Sequence, residues 1–224
     1  MNRFALLVVG LALVPAQAHS QPIAVPDVGC AGVGIFLHWA DRDYERPNGT
    51  PFHGLWSHSG LFVHETVAHR VVLMIAGSYQ PPYRDSRYPD RLYTALGAGG
   101  GATVYPLITG PYRIGASFRW YRQAWLDQSI EHHDKVVDGI SVSVQAERGF
   151  KMRSLNARIW IAPAYMKDRL LDHPGPWPAV ELTTTNNFGA LGGVSLVLFG
   201  HVAPYVQLGA VEHLQTQAGV SYIY

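Results

Sequence analysis

The chain has 224 residues, 48% of them hydrophobic and only 15% charged, with a formal net charge of +1. A soluble domain carries about 25% charged residues, so the shortfall points to surface that does not meet water. The near-zero balance argues against acidic disorder and against a nucleic-acid-binding face, and beyond the first eighteen residues no apolar run approaches the roughly 20 residues of a spanning helix.

In chain order, Arg3 supplies a positive start, Phe4 to Val14 an apolar stretch and Ala16-Gln17-Ala18 a small-x-small cleavage site. Residues 1–18 are therefore expected to be a cleaved secretory signal peptide, with a single domain over 19–224. Cys30 is the lone cysteine, so no disulfide forms within the chain. Asp27 and the distance from the apolar stretch argue against lipid attachment at that residue. Gln21 to Pro26 reads as a short leader into a first strand over Val28 to Trp39.

Gly60 to His69 and Arg70 to Gln80 read as a hairpin, with Val71, Leu73, Ile75 and Tyr79 on one face. Val63, Val67, Val71 and Met74 also sit at helical spacing, so a short helix stays open there. This segment decides between eight and ten strands. Ten is favoured, because eight would leave a connection far outside the usual loop range.

Later segments alternate with a period of two, the signature of strands with two different faces. Tyr93 to Pro106 is a glycine-rich strand. From Tyr112 to Arg122 one face reads Tyr112, Ile114, Ala116, Phe118, Trp120 and the other Arg113, Gly115, Ser117, Arg119, Tyr121. Gly139 to Glu147 sets Ile140, Val142 and Val144 against Ser141, Ser143 and Gln145, and Lys151 to Ile161 sets Leu155, Ala157 and Ile159 against Asn156, Arg158 and Trp160. Gly189 to Gly200 is apolar on both faces. Val202 to Leu208 and the final eight residues close the chain as hairpin partners. Short connections are expected near Leu107 to Pro111, Glu147 to Phe150 and Phe199 to His201, and long polar loops over Ala124 to Lys135 and Pro163 to Asn187. A transmembrane barrel has that asymmetry, with tight periplasmic turns and longer extracellular loops.

Alternation fits a soluble barrel as well, and only the direction of the faces differs. In water the apolar set points inward; in lipid it points outward and the polar set fills the lumen. Aromatic ends on the apolar faces (Tyr112, Trp120, Tyr222, Tyr224) and the mixture of arginines with Gly and Ser on the polar faces favour lipid. The membrane reading predicts Ile114, Phe118, Val142 and Ile159 outside, and Arg119 and Gln145 inside.

The alternating Gln217-Ala218-Gly219-Val220-Ser221-Tyr222-Ile223-Tyr224 resembles the C-terminal signal by which Gram-negative assembly machinery recognises its barrel substrates, carried by Gln217, Gly219, Tyr222 and Tyr224. With the leader, strands and loops, the whole mature chain resembles small bacterial outer-membrane β-barrel proteins, the broad class that includes the OmpA and OmpX barrels. The resemblance implies an all-β fold, a transmembrane antiparallel up-and-down barrel of even strand number. It also implies a monomer in the outer membrane, with outer-membrane lipid and lipopolysaccharide, periplasmic chaperones and the barrel-assembly machinery as partners and no nucleic acid. No subfamily motif carries over a catalytic or ligand-binding residue.

Arg113, Arg119, Glu147 and Arg158 are expected to line the lumen, joined by Arg153 and Lys151. As a salt-bridge network they would plug a narrow barrel; as an unpaired basic lining they would attract anions through a small-solute pore. A barrel of ten strands or fewer has little room once side chains fill it, which favours the plug. Exposed loop aromatics (Trp56, Tyr79, Tyr83, Tyr88, Trp125, Trp177) suit surface contacts. The alternative is an outer-membrane lipid-modifying enzyme, a lipid A hydrolase or acyltransferase, with His58, Ser59 and Glu65 supplying base, nucleophile and acid at the outer rim; Asp134 is a further acid. His132-His133-Asp134 and His53, His58, His64, His69 match no ligand spacing, so no metal or cofactor is expected.

Overall fold

The computed structural model describes residues 31–67, 70–85, 88–127, 133–152, 155–174, 179–211 and 213–224. The proposed signal peptide and Cys30 lie outside them. The strands are β1 (Ala31–Glu45), β2 (Pro51–Val67), β3 (Val71–Asp85), β4 (Tyr88–Thr109), β5 (Tyr112–Asp127), β6 (His133–Met152), β7 (Leu155–Pro174), β8 (Val180–Thr184), β9 (Phe188–Leu198), β10 (Val202–Val211) and β11 (His213–Ile223). All pairings are antiparallel. Neighbours follow sequence order from β1 to β7, then β9, β10 and β11, and β11 returns to β1 with Gly32 opposite Ile223 through Ala40 opposite Gln215. The result is a closed ten-stranded barrel, and closure lets the ladder hydrogen bonds be made inside the sheet.

Segment 60–80 is a hairpin, with Ser59 opposite Tyr79 and Val67 opposite Val71. The helical spacing of its valines is coincidental, since outward Leu73 and Ile75 need the strand period to share a face. The remaining short turns lie at the same end as Ala31 and Tyr224. Two use left-handed backbone: Gly110 (φ 55°) before Pro111, and Phe199 (φ 52°) with Gly200 (φ 77°), where both central residues are left-handed as a type I′ hairpin turn requires.

The barrel has two storeys. β7 pairs with β9 from Leu155 to Tyr165, then with β8 from Arg169 to Asp172. β8 crosses directly to β1, Tyr44 opposite Thr184 and Glu45 opposite Thr183. The β10–β11 hairpin therefore stops within the wall, and above its tip β1 to β8 form a collar, interrupted between β2 and β3, whose ladder ends at Ser59 opposite Tyr79. Of the two strand numbers weighed in the sequence, the closed barrel has the favoured ten. Side-chain and backbone hydrogen bonds pin the break between β8 and β9: Thr184 Oγ1 donates to Asn187 Oδ1 at 2.6 Å, Phe188 N to Asn186 Oδ1 at 3.2 Å and, backbone to backbone, Met166 N to Asn187 O at 2.8 Å.

The facing of the lower storey is that of a lipid-embedded barrel. Phe118 and Trp120 are 50% and 48% exposed, while Arg119 between them is 6% exposed and Gln145 on the next strand is fully buried. Ile114, Val142 and Ile159 also point outward. A sheet that turns this much hydrocarbon outward and its arginines inward is stable only where lipid replaces water around it. Rings edge the belt: Tyr112, Tyr222 and Tyr224 at the turn end, Trp39, Tyr79 and Trp120 toward the collar.

Three expected connections prove to be strand. Glu147 to Phe150 is not a turn: β6 runs on to Met152 with Glu147 opposite Trp160, and Gly149 N finds a partner in Pro111 O at 2.7 Å, which carries the ladder past the expected end. Ala124 to Lys135 and Pro163 to Asn187 are largely collar strands. They read as polar loops because the collar reverses the facing, with Trp125, Val137, Leu170 and Leu182 inside and Arg122, Asp138, Lys167 and Arg169 outside. Trp125, expected on an exposed loop, is fully buried. Trp177 and the side chains of Trp56, Tyr83 and Tyr88 lie outside the described residues.

Candidate functional site: the filled lumen

Large inward side chains are seated by glycines directly across the ladder. Tyr121 faces Gly139, Tyr205 faces Gly219, Trp160 faces Gly193 and Arg119 faces Gly101. A Cβ added at Gly139 would lie 2.0 Å from the Tyr121 ring, and one at Gly219 would lie 2.4 Å from the Tyr205 hydroxyl. Each ring lies flat over bare backbone, so the lumen holds more aromatic volume than its diameter would otherwise allow.

At the turn end Tyr105 and Glu147 meet across the barrel wall. The Tyr105 hydroxyl donates to Glu147 Oε1 at 2.6 Å, Gln145 Nε2 donates to the same oxygen at 2.7 Å, and Gln145 also bonds the Tyr105 hydroxyl. Arg113 and Arg158 set their positive field on this carboxylate, and the Arg113 guanidinium lies 5.9 Å from the Tyr105 ring centroid. One turn of the lining higher, Arg119 Nε donates to Ser117 Oγ at 3.3 Å, and Ser117 pairs with Thr103 at 2.8 Å. A buried carboxylate bonded by a tyrosine and a glutamine, in the field of two arginines, is a structural arrangement. Its charges are compensated by neighbours that removal of one member would strand.

Above this lies a mixed layer. Gln217 Nε2 reaches the Tyr205 hydroxyl at 3.3 Å, and the rings of His38 and His58, opposite each other on β1 and β2, are 4.8 Å apart at their centroids. Phe36 packs edge-on against His58 at 5.8 Å and tilts over Phe62 at 6.4 Å. In the collar Tyr44, Tyr93, Trp125, Val137, Leu170 and Leu182 form an apolar cap. Lys135 Nζ lies 4.9 Å from the Tyr93 ring centroid above it. Tyr121 bonds Asp168 beneath, and Asp168 N donates to Thr184 Oγ1 at 3.2 Å.

All four expected lumen residues face inward, with Arg119 and Glu147 buried and Arg113 and Arg158 half-buried toward the mouth. Lys151 is exposed at that mouth, and Arg153 lies outside the described residues. The proposed enzyme trio does not converge. His58 points into the lumen, whereas Ser59 points outward and donates to Tyr79 O at 3.3 Å. Glu65 also points outward, six residues farther toward the turn end, about 20 Å along the strand. His132, His69 and the side chains of His53 and His133 lie outside the described residues, and no group of three or more His, Cys, Asp or Glu placed to hold a metal occurs among those described.

Of the expected assembly-signal residues, Gln217 and Gly219 face the lumen while Tyr222 and Tyr224 stand outward at the belt margin. Ile223 N donates to His201 O at 2.7 Å and Tyr224 N to Ala31 O at 3.0 Å, sealing the lower seam. Sequence reasoning missed Tyr105, Asp168 and His38, and placed Gln145 and Tyr121 on the inward face without their partners. The readable signal was an inward-phase ring facing an inward-phase glycine on the next strand, which requires the register.

No protein-family model and no curated protein matches the chain. Among solved structures it is similar to the outer membrane protease OmpT from Escherichia coli, at 9% identity over 92% of this chain and 99% of that chain, TM-score 0.45. It is also similar to the outer membrane protein AlkL, determined in DMPC lipid bilayers, at 10% identity over 92% and 95%, TM-score 0.40. A third is the beta domain of the Bordetella autotransporter BrkA, at 15% identity over 88% and 100%, TM-score 0.41.

Proposed function

We propose that this protein is a non-conducting outer-membrane barrel with a structural and surface-interaction role: its lower storey anchors the collar of β1 to β8 outside the bilayer. The observation that carries the reading is the filled lumen. Tyr105, Phe36, Phe62, Tyr93 and Trp125 all lie fully or almost fully buried across the bore, and the Glu147 network occupies its turn end. The small-solute pore loses its support, because a solute would have to displace these side chains together. The lipid-modifying enzyme draws none from the separated His58, Ser59 and Glu65.

The proposal includes export by the 1–18 signal, delivery by periplasmic chaperones and insertion by the barrel-assembly machinery as a monomer, with the short turns toward the periplasm. Purified, refolded protein in planar bilayers is expected to give a flat current trace. Discrete conductance steps would sink the plugged reading.

A further inference from the structure

Outward side chains of β5, β6 and β7 change character at matched register. Trp120, Ile140 and Lys167 lie side by side in one row, and Arg122, Asp138 and Arg169 in the next row up. The lower row closes the apolar belt and the upper row opens the polar collar, so the cations stand at the level where hydrocarbon gives way to headgroups. Arg122 bonds Asp138 at 3.1 Å and Arg169 bonds Glu181 at 2.7 Å, all four side chains remaining roughly half exposed. Lys167 is exposed and has no ion-pair partner among the described residues. Tyr165 and Phe188, rings 5.0 Å apart at their centroids, form an aromatic shelf beside it. On β1, the same passage runs from Trp39 to Asp41, Asp43 and Glu45, so the rim has a cationic sector and an anionic one.

We propose that Arg122, Lys167 and Arg169 form a binding site for the phosphate of a membrane lipid headgroup, with Trp120, Tyr165 and Phe188 flanking its apolar part. The site rests on the membrane placement proposed above. Lys167 supplies a charge with no ion-pair partner among the described residues, and the two arginines present N–H donors beyond those used by Asp138 and Glu181. Zwitterionic and uncharged headgroups gain less, and the Asp41–Glu45 sector repels phosphate.

The test uses the folded full chain in detergent, titrated with lipid A, with dephosphorylated lipid A and with inorganic phosphate, and read by native mass spectrometry. Lipid A is expected to bind and its dephosphorylated form to bind at least ten-fold more weakly. Each cation removed is expected to weaken lipid A by about five-fold, in Lys167→Gln first and then in the Arg122→Gln/Lys167→Gln/Arg169→Gln triple variant, with Lys151→Gln unchanged. Lys167→Gln breaks no ion pair, so it keeps the test decisive if the triple variant misfolds. Unchanged lipid A binding in Lys167→Gln overturns the site, as does equal binding of the dephosphorylated lipid. Displacement of lipid A by equimolar inorganic phosphate overturns the headgroup assignment. Conductance reads the lumen alone, so failure of either proposal is seen separately.

Discussion

The lower storey and the collar are built from the same strands and obey opposite rules. On β5, Phe118 and Trp120 point out below, whereas Trp125 points in above; on β7, Ile159 and Ile161 point out below, whereas Leu170 points in above. The strand never slips register to do this. The apolar residues simply change from one parity to the other where lipid ends, because the side meeting water must be polar in each storey. The lower interior is held by a charged network among aromatic rings, and the collar interior by an apolar cluster with Lys135, Asp127 and Asp168 buried around it. One sheet thus contains a membrane barrel and, above it, a collar with the facing of a water-soluble sheet.

Four perturbations test that division, the largest first. Trp125→Ala is expected to cost about 3–5 kcal/mol by emptying the collar core, and limited proteolysis should then cut collar strands while the lower barrel keeps its heat-modifiable gel mobility. Joint loss of both would mean that the storeys are one cooperative unit. Val142 and Val136 point outward from the same strand, one in the belt and one in the collar. Val142→Arg should cost about 2–4 kcal/mol in urea titrations from liposomes, and Val136→Arg about 0.5 kcal/mol or less; equal costs would erase the boundary. Glu147→Ala should cost about 1–3 kcal/mol by stranding the Tyr105 and Gln145 donors, measured in the same titration, with collar proteolysis unchanged. Phe199→Asn should stabilise the lower turn by about 1 kcal/mol, since asparagine tolerates the left-handed backbone better than phenylalanine. A loss there would show that the exposed ring contributes more as an anchor than it costs as a turn residue.

The same division explains what was legible in the sequence. Tyr112 to Arg122 and Gly139 to Glu147 lie mostly in the belt, where one environment outside and another inside write an unbroken alternation, and their facing was read correctly. Pro163 to Asn187 crosses the boundary, so its alternation reverses midway and reads as no pattern at all. Trp125 was placed outside for that reason. Gly60 to Gln80 stayed ambiguous because valines spaced four apart suit either period, and only pairing with β1 and β4 settles it. The inward facing of Arg113, Arg119, Glu147 and Arg158 follows from parity alone. The Tyr105 to Glu147 bond joins residues 42 apart in sequence and emerges only when three strands are set in register.

The crossing of β8 to β1 also bears on the order in which the molecule can be assembled. Every strand of the collar precedes Thr185 in the chain, and β7 is tied to β1 there through β8, by the pairs Arg169 to Asp172 make and the two that Tyr44 and Glu45 make. That tie needs nothing from β9, β10 or β11. Those three strands widen the lower circumference by insertion beneath it, and closure is completed where β11 runs along β1. A chain cut after Asn187 therefore keeps β7 and β1 joined through β8 at collar level and an open slit between them below, which makes the lower seam a place where insertion can pause without parting the two strands that border it.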